Sequence, residues 1–323
     1  MSTAPPDAAF GAPHASGAQH RIVRGPAEAI VVALAGALRT YRVDGLDLTE
    51  PYGPDVIPPA GNGIQMSPWP NRVAGGRWTH DGAEQQLDIT EPSRGNASHG
   101  LLRNTHFTAE AVGEHAVTLR AEIHPQHGWP FRLTHRVTYA LAEDGALTCT
   151  MELENLGDAA APVAFGAHPF LRIGDVPTSE LSLHVDAASW IRTDEQLIPV
   201  ETLPVDGTEH DLRSGAVLGA QGRDVALTGL TCEDDAVHRA RLVAPDGRSV
   251  TLWSDPAFTV THVFVTDRLP GRPTAVAVEP LTAPADALNS GEGLHRLAPG
   301  ERFSARWGLT PHISPDVQEG NRA

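Results

Sequence analysis

Two stretches of the chain end an apolar run on a group that can move a proton. In Ala275-Val276-Ala277-Val278-Glu279-Pro280 a breaker-free run delivers one carboxylate, Glu279, and then a proline. A carboxyl among apolar neighbours has a costly charged form, so its pKa tends to rise, and a general base is poised in this way. Val163-Ala164-Phe165-Gly166-Ala167-His168-Pro169 repeats the pattern with an imidazole. Both spacings predict a titratable side chain at the end of a strand, with proline stopping the ladder directly afterwards. Read alone, Glu279 reads first as a strand-end residue facing water, and His168 could be a core histidine bonded to a carbonyl.

Three further segments offer groups that grip a polar ligand. Ser67-Pro68-Trp69-Pro70-Asn71-Arg72 puts an aromatic face, an amide and a guanidinium in one turn-rich loop, a combination suited to sugar hydroxyls. Asn96-Ala97-Ser98-His99-Gly100 sets His99 before a glycine that permits close backbone approach. Arg223-Asp224-Val225-Ala226-Leu227 opens a strand with Asp224, which could also be a simple turn residue.

The elements that must position these groups read as strands. Leu133, His135, Val137, Tyr139 and Leu141 alternate with Thr134, Arg136, Thr138 and Ala140, Asp144-Gly145 supplies a turn, and Leu147, Cys149, Met151 and Leu153 alternate on the return. Ala240–Val243 and Val250–Trp253 flank Pro245-Asp246-Gly247 in the same way. Residues 117–123, 181–185, 258–266 and 303–309 are further strands, and Asp44-Gly45 and Asp81-Gly82 mark turns. Many short strands with turn signals and no βαβ alternation predict an all-β fold, a large antiparallel sandwich or barrel. Residues 21–310 show no linker or repeat and read as one domain. Residues 1–20, rich in Ala, Pro and Gly, read as a disordered tail, and residues 311–323 as a polar tail that frays.

Composition narrows the function classes. The chain has 323 residues with 24 basic and 40 acidic side chains, a net charge of −16. Every basic residue is arginine, which removes Schiff-base lysine chemistry and a phosphate-binding P-loop. The acidic balance argues against nucleic acid or an anionic membrane as partner. Cys149 and Cys232 are too few for a disulfide framework or a cysteine zinc site. No apolar run approaches the length of a membrane span, and the first residues lack a signal peptide's basic and apolar regions, so a cytoplasmic location is expected.

Taken together, these stretches resemble the aldose 1-epimerases (mutarotases) over most of residues 24–310. The resemblance is carried most strongly by Ala277-Val278-Glu279-Pro280-Leu281-Thr282, Ser290-Gly291, and Pro299-Gly300-Glu301 through Trp307-Gly308, which look like the bacterial branch. It implies a large β-supersandwich with Glu279 as general base and His168 as general acid. Asn71, Arg72, His99 and Asp224 become substrate-binding residues. Many relatives carry an aromatic pair after the His-Pro where this chain has Phe170-Leu171, which bears on sugar preference.

The implied chemistry interconverts the α and β anomers of a free aldose. Glu279, ionised, takes the C1 hydroxyl proton while protonated His168 gives one to the ring oxygen; the opened sugar rotates and recloses with roles exchanged. His99 and Arg72 hold the ring and oppose charge on its oxygen. No metal or organic cofactor is required, and the partner is a small sugar, with the protein a monomer or homodimer. Three rivals remain. A glycoside hydrolase would need a second catalytic carboxylate roughly 5–9 Å from Glu279, a role Asp224 could serve only if it lies that close, and the His-Pro motif would then be unexplained. A non-catalytic sugar-binding module would keep Trp69 and Arg72 but would not need Glu279 and His168 together, and a hexose-phosphate epimerase would need a cationic pocket, for which the sequence shows no arginine cluster.

Overall fold

A computed structural model describes residues 14–232 and 236–313. Alternating apolar side chains bury one face of many strands, and antiparallel pairing joins most of the strands into two large sheets, with smaller sheets beside them. One sheet has nine strands and the other eight. In the nine-stranded sheet the predicted hairpin pairs Leu133–Leu141 with Leu147–Asn155 in an unbroken register. Ala116–Ile123 flanks it on one side and Arg302–His312 on the other. His238–Val243 and Ser249–Ser254 form the second predicted hairpin in the same sheet.

In the eight-stranded sheet Arg223–Leu230, Val260–Thr266 and Ala275–Leu281 lie side by side. Val225, Leu227, Val263, Val265, Val276 and Val278 point from these strands into a core shared with Leu119, Val137, Met151, Leu252 and Trp307 of the other sheet. Because side chains alternate, the residues between them point to the opposite face. Asp224, Ala226, His262, Phe264, Ala277 and Glu279 therefore share that second face, where loops cover it.

The turn chemistry follows the sequence. Asp44-Gly45 and Asp81-Gly82 have positive φ at both residues, the conformation of a tight two-residue hairpin. Among the described residues no helix is long and apolar enough to cross a membrane.

Both expected tails begin further out than composition suggests. Ser16 is fully buried and bonds the Pro54 carbonyl through its amide (3.1 Å) and its hydroxyl (2.7 Å). Gln19–Arg24 is a strand, so residues 14–20 belong to the fold; residues 1–13 lie outside the described residues. At the other end Pro311 and His312 continue the last strand, pairing with Val250 and Ser249, and residues 314–323 lie outside the described residues. In both places local composition is outweighed by backbone pairing with distant strands.

Candidate active site

Glu279 sits inside its strand rather than at its end. Pro280 and Leu281 continue the pairing with Thr261 and Val260. Pro280 is tolerated because the amides on that edge of the strand serve an interrupted neighbour: Val278 donates to Pro169 (3.1 Å) and Thr282 to Phe165 (2.9 Å). Pro280, between them, has no N–H, and no ladder bond is needed there. The interruption is the His168-Pro169 pair itself, between the short strands Gly166–Ala167 and Phe170–Leu171. Gly166 pairs with Leu281 and Phe170 with Ala277, a register that puts His168 abreast of Glu279. On the other side Glu279 pairs with His262. One carboxylate thus lies between two imidazoles on three adjacent strands.

The loops supply the remaining groups. Asn71 and His99 both adopt positive φ (54° and 62°), an uncommon state for either residue and one that clusters at functional sites. The two loops are tied together: His99 donates its amide to the Asn71 carbonyl (2.7 Å) and Leu101 to that of Ser67 (2.8 Å). Gly100, at φ +70°, lies so close to the Ser67 backbone that any Cβ would collide with it. The expectation that this glycine permits close approach is thus met.

Asn71, Arg72, His99, His168, Asp224 and Glu279 all line one cavity of about 320 Å³. That volume suits a small ligand, at the low end of the roughly 300–1,000 Å³ of small-molecule sites. His168 Nε2 lies 3.3 Å from Glu279 Oε1, and both side chains are nearly fully buried. The imidazole is clamped by stacking on Phe170 (5.3 Å) and by edge contacts with His99 (5.5 Å) and Phe264 (6.3 Å). Arg72 grips Glu91 through Nε (2.7 Å) and Nη2 (3.1 Å) and donates from Nη1 to Asn71 Oδ1 (3.0 Å). Three buried polar atoms of the cavity residues, Glu279 Oε2, His168 Nδ1 and His99 Nδ1, have no protein partner. Buried polar atoms are costly to leave unpaired, so they mark where a polar ligand would bind.

Burial pushes the His168 imidazole below its ordinary range, and the Glu279 carboxylate only partly opposes this. Burial, aided by the charges of His168, Arg103 and Arg72, holds His99 well below its ordinary range. His262 is displaced the other way. Burial acts to lower it, but a 2.7 Å hydrogen bond to Asp224 and the charges of Glu279 and Asp224 outweigh burial. Burial alone would raise Asp224, yet the His262 hydrogen bond and the charges of His262 and Arg72 hold it below the usual carboxylate range.

A model of the family described as "Aldose 1-epimerase" matches residues 40–310. The chain belongs to the aldose 1-epimerase family. It is 30% identical over 289 residues to the Escherichia coli K12 protein YihR, covering 89% of this chain and 91% of YihR. It is 29% identical over 166 residues to human galactose mutarotase, spanning about half of each protein (49% and 47%). A GalM/aldose epimerase homologue from C. elegans superposes with a TM-score of 0.80 at 17% identity, covering 91% of this chain and 98% of that one. Galactose 1-epimerase from Lactobacillus acidophilus does so at 0.75 and 18%, covering 89% and 92%. These likenesses establish the fold as galactose mutarotase-like.

Within this epimerase fold the cavity holds groups that motif reading passed over. His262 lies in Val260-Thr261-His262-Val263-Phe264, and only its alternation with the core-facing valines could have singled it out. Glu91 positions Arg72 from a distant loop, a pairing with no local signal. The expectation of no arginine cluster is corrected: Arg94, Arg103 and Arg268 join Arg72 in lining the cavity. They come from three separate segments and converge only through the fold.

Proposed function

We propose that this cavity interconverts the anomers of a free aldohexose, with Glu279 as base and His168 as acid. The observation that carries the reading is the buried Glu279–His168 contact, with one oxygen and one ring nitrogen left unpartnered. Glu279 removes the C1 hydroxyl proton, protonated His168 delivers one to the ring oxygen, and the C1–O5 bond opens to the aldehyde. Rotation about C1–C2 and the reverse transfers close the ring on the other face. Arg72, locked by Glu91 and Asn71, offers a fixed guanidinium against charge developing on the sugar oxygens. Neutral His99 is a hydrogen-bonding neighbour rather than a second charge.

Asp224 is poorly suited to a glycoside hydrolase's acid, because that role requires a raised pKa and Asp224 is held low. The arginines favour a second reading in which the hexose bears an anionic group such as a phosphate. Arg103 has only the Ser98 carbonyl (3.3 Å), and Arg268 lies over Phe264 (5.9 Å); among the described residues neither pairs with a carboxylate. A neighbouring lobe of about 480 Å³ shares Arg94 and Arg268 with the cavity, leaving room for a substituent. Anomer equilibration of D-glucose, D-galactose and D-glucose 6-phosphate, followed by NMR or polarimetry, separates the readings. Acceleration of the neutral sugars supports the first and a strong preference for the phosphate the second. No acceleration of any reducing sugar would refute both.

A further inference from the structure

Glu50 is a buried charge that the proton transfers do not use. It is only 2% exposed, and its two carboxylate oxygens face two arginines. Arg172 Nη1 lies 3.2 Å from Oε2, and Arg272 Nε lies 2.9 Å from Oε1. Burial pushes the Glu50 carboxyl up, and the charges of Arg172 and Arg272 oppose it. None of the three residues lines the cavity. Apolar side chains of similar volume often replace such a buried triad without loss of stability, so packing alone is a poor account of it.

What the triad joins is the support of His168. Arg172 directly follows the short strand Phe170–Leu171, which lies next to the Glu50 segment. Glu50 donates its amide to the Phe170 carbonyl (2.9 Å) and Arg172 donates its own to Leu48 (3.0 Å). Asn62 bridges the two segments, donating to the Glu50 carbonyl (2.7 Å) and accepting from the Phe170 amide (3.4 Å). Arg272 comes from elsewhere, the loop of residues 267–274 between Val260–Thr266 and Ala275–Leu281. That loop brings Leu269 into one apolar cluster with Phe170, Phe264, Ala275 and Ala277. Phe170 and Phe264 are the rings that clamp the His168 imidazole.

We propose that Glu50 is a positioning residue: by joining Arg172 to Arg272 it holds the loop 267–274 against the strand that follows His168, and so fixes that imidazole against Glu279. The proposal rests on the mutarotase reading of the cavity. Glu50 acts through packing. With the tether cut, Leu269 is released from the cluster, and the two aromatic rings and the imidazole they clamp loosen together. Asn71, Arg72, His99 and Asp224 stand on other segments, so sugar binding outlasts the loss.

The test uses the full chain with nitrogen-15-labelled histidine, D-galactose and D-glucose as probes, and the variants Arg272→Met, Arg272→Lys and Glu50→Gln. Arg272→Met is the milder cut, because that side chain is 20% exposed and Glu50 keeps Arg172. Its kcat should fall roughly ten- to hundredfold, as a displacement of about 1 Å at a reacting group does, with KM near the parent's. Arg272→Lys, which restores the charge, should recover part of kcat. The His168 ring signals, assigned by their loss in His168→Asn, should shift or broaden in Arg272→Met and Glu50→Gln while those of His135 stay in place. Val250→Ala, which opens a gap in the core on the other sheet, is the stability control and should melt lower with parental kcat. Melting curves check folding, and Arg272→Met carries the test if Glu50→Gln does not fold. Parental kcat in folded Arg272→Met, unmoved His168 signals, or a Val250→Ala protein that loses as much kcat would overturn the proposal. If the parent accelerates no sugar, the mutarotase reading fails, and the His168 signals still decide whether the triad sets the ring.

Discussion

His135 offers a test of the fold's electrostatics that is independent of catalysis. It faces the core from Leu133–Leu141, fully buried, edge-on to Phe107 (5.9 Å) and stacked on Phe165 (6.1 Å), and neither ring nitrogen has a hydrogen-bond partner. Burial drives its pKa down to about 3 from 6.5. The neutral ring is therefore favoured in the fold, while the unfolded chain takes up the proton once the pH falls below about 6.5. The stability this group permits is complete above that value and is lost as pH falls from 6.5 toward 3. At roughly 1.4 kcal/mol per pK unit the full loss is on the order of 5 kcal/mol, of which about 2 kcal/mol appears between pH 7.5 and 5. His135→Phe removes the titration and keeps an aromatic ring between its neighbours. Urea unfolding of parent and variant at pH 7.5, 6.5 and 5 should show the variant gaining about 2 kcal/mol on the parent across the series. Comparison within a pair cancels the other histidines. Parallel stability curves, with a constant difference between the two proteins, would refute the reasoning.

Arg72→Ala should weaken sugar binding and slow turnover by roughly ten- to hundredfold, because the charged donor held by Glu91 and Asn71 is lost; parental kinetics would detach this loop from the reaction. Deleting residues 1–20 should lower stability by roughly 2–3 kcal/mol in chemical unfolding, since two hydrogen bonds from Ser16 and the first strand's opening pairs go with it, and an unchanged midpoint would mean that these contacts add nothing. Gly100→Ala should cost more than the roughly 1–2 kcal/mol of left-handed backbone strain, because the new methyl meets the Ser67 backbone; a melting temperature equal to the parent's would contradict that close packing. Since burial lowers His168, its acid form is lost as pH rises through a value below the ordinary imidazole range, and kcat/KM should begin to fall there. A first alkaline break above that range would argue against His168 as the acid.

Much of this architecture was legible because strand periodicity is local. The hairpin through Asp144-Gly145 follows from alternation and turn residues, and the strand carrying Glu279 from a breaker-free apolar run. Proline misled the reading at Glu279. The missing N–H of Pro280 matters only if a neighbour needs it, and the neighbour is broken at His168-Pro169. The ends misled it in the same way, since Ser16 and Pro311 are held by residues 54 and 250 rather than by their own composition. His262 and the arginines at residues 94, 103 and 268 carried no motif, and a surface arginine reads alike in any loop until topology brings the loops together.

The central claim is that Glu279 and His168 act as one proton-transferring pair, and a double-variant cycle tests it most directly. Glu279→Gln keeps the shape and removes the base, and His168→Asn removes the acid while leaving a polar side chain. Anomer equilibration of D-galactose and D-glucose, measured by NMR or polarimetry on folded proteins, should fall by roughly 10²–10⁴-fold in each single variant. The double variant should lose far less than the product of the two losses, because each transfer is idle without the other. Losses that multiply in full, or a Glu279→Gln protein that equilibrates both sugars at the parental rate, would contradict the account.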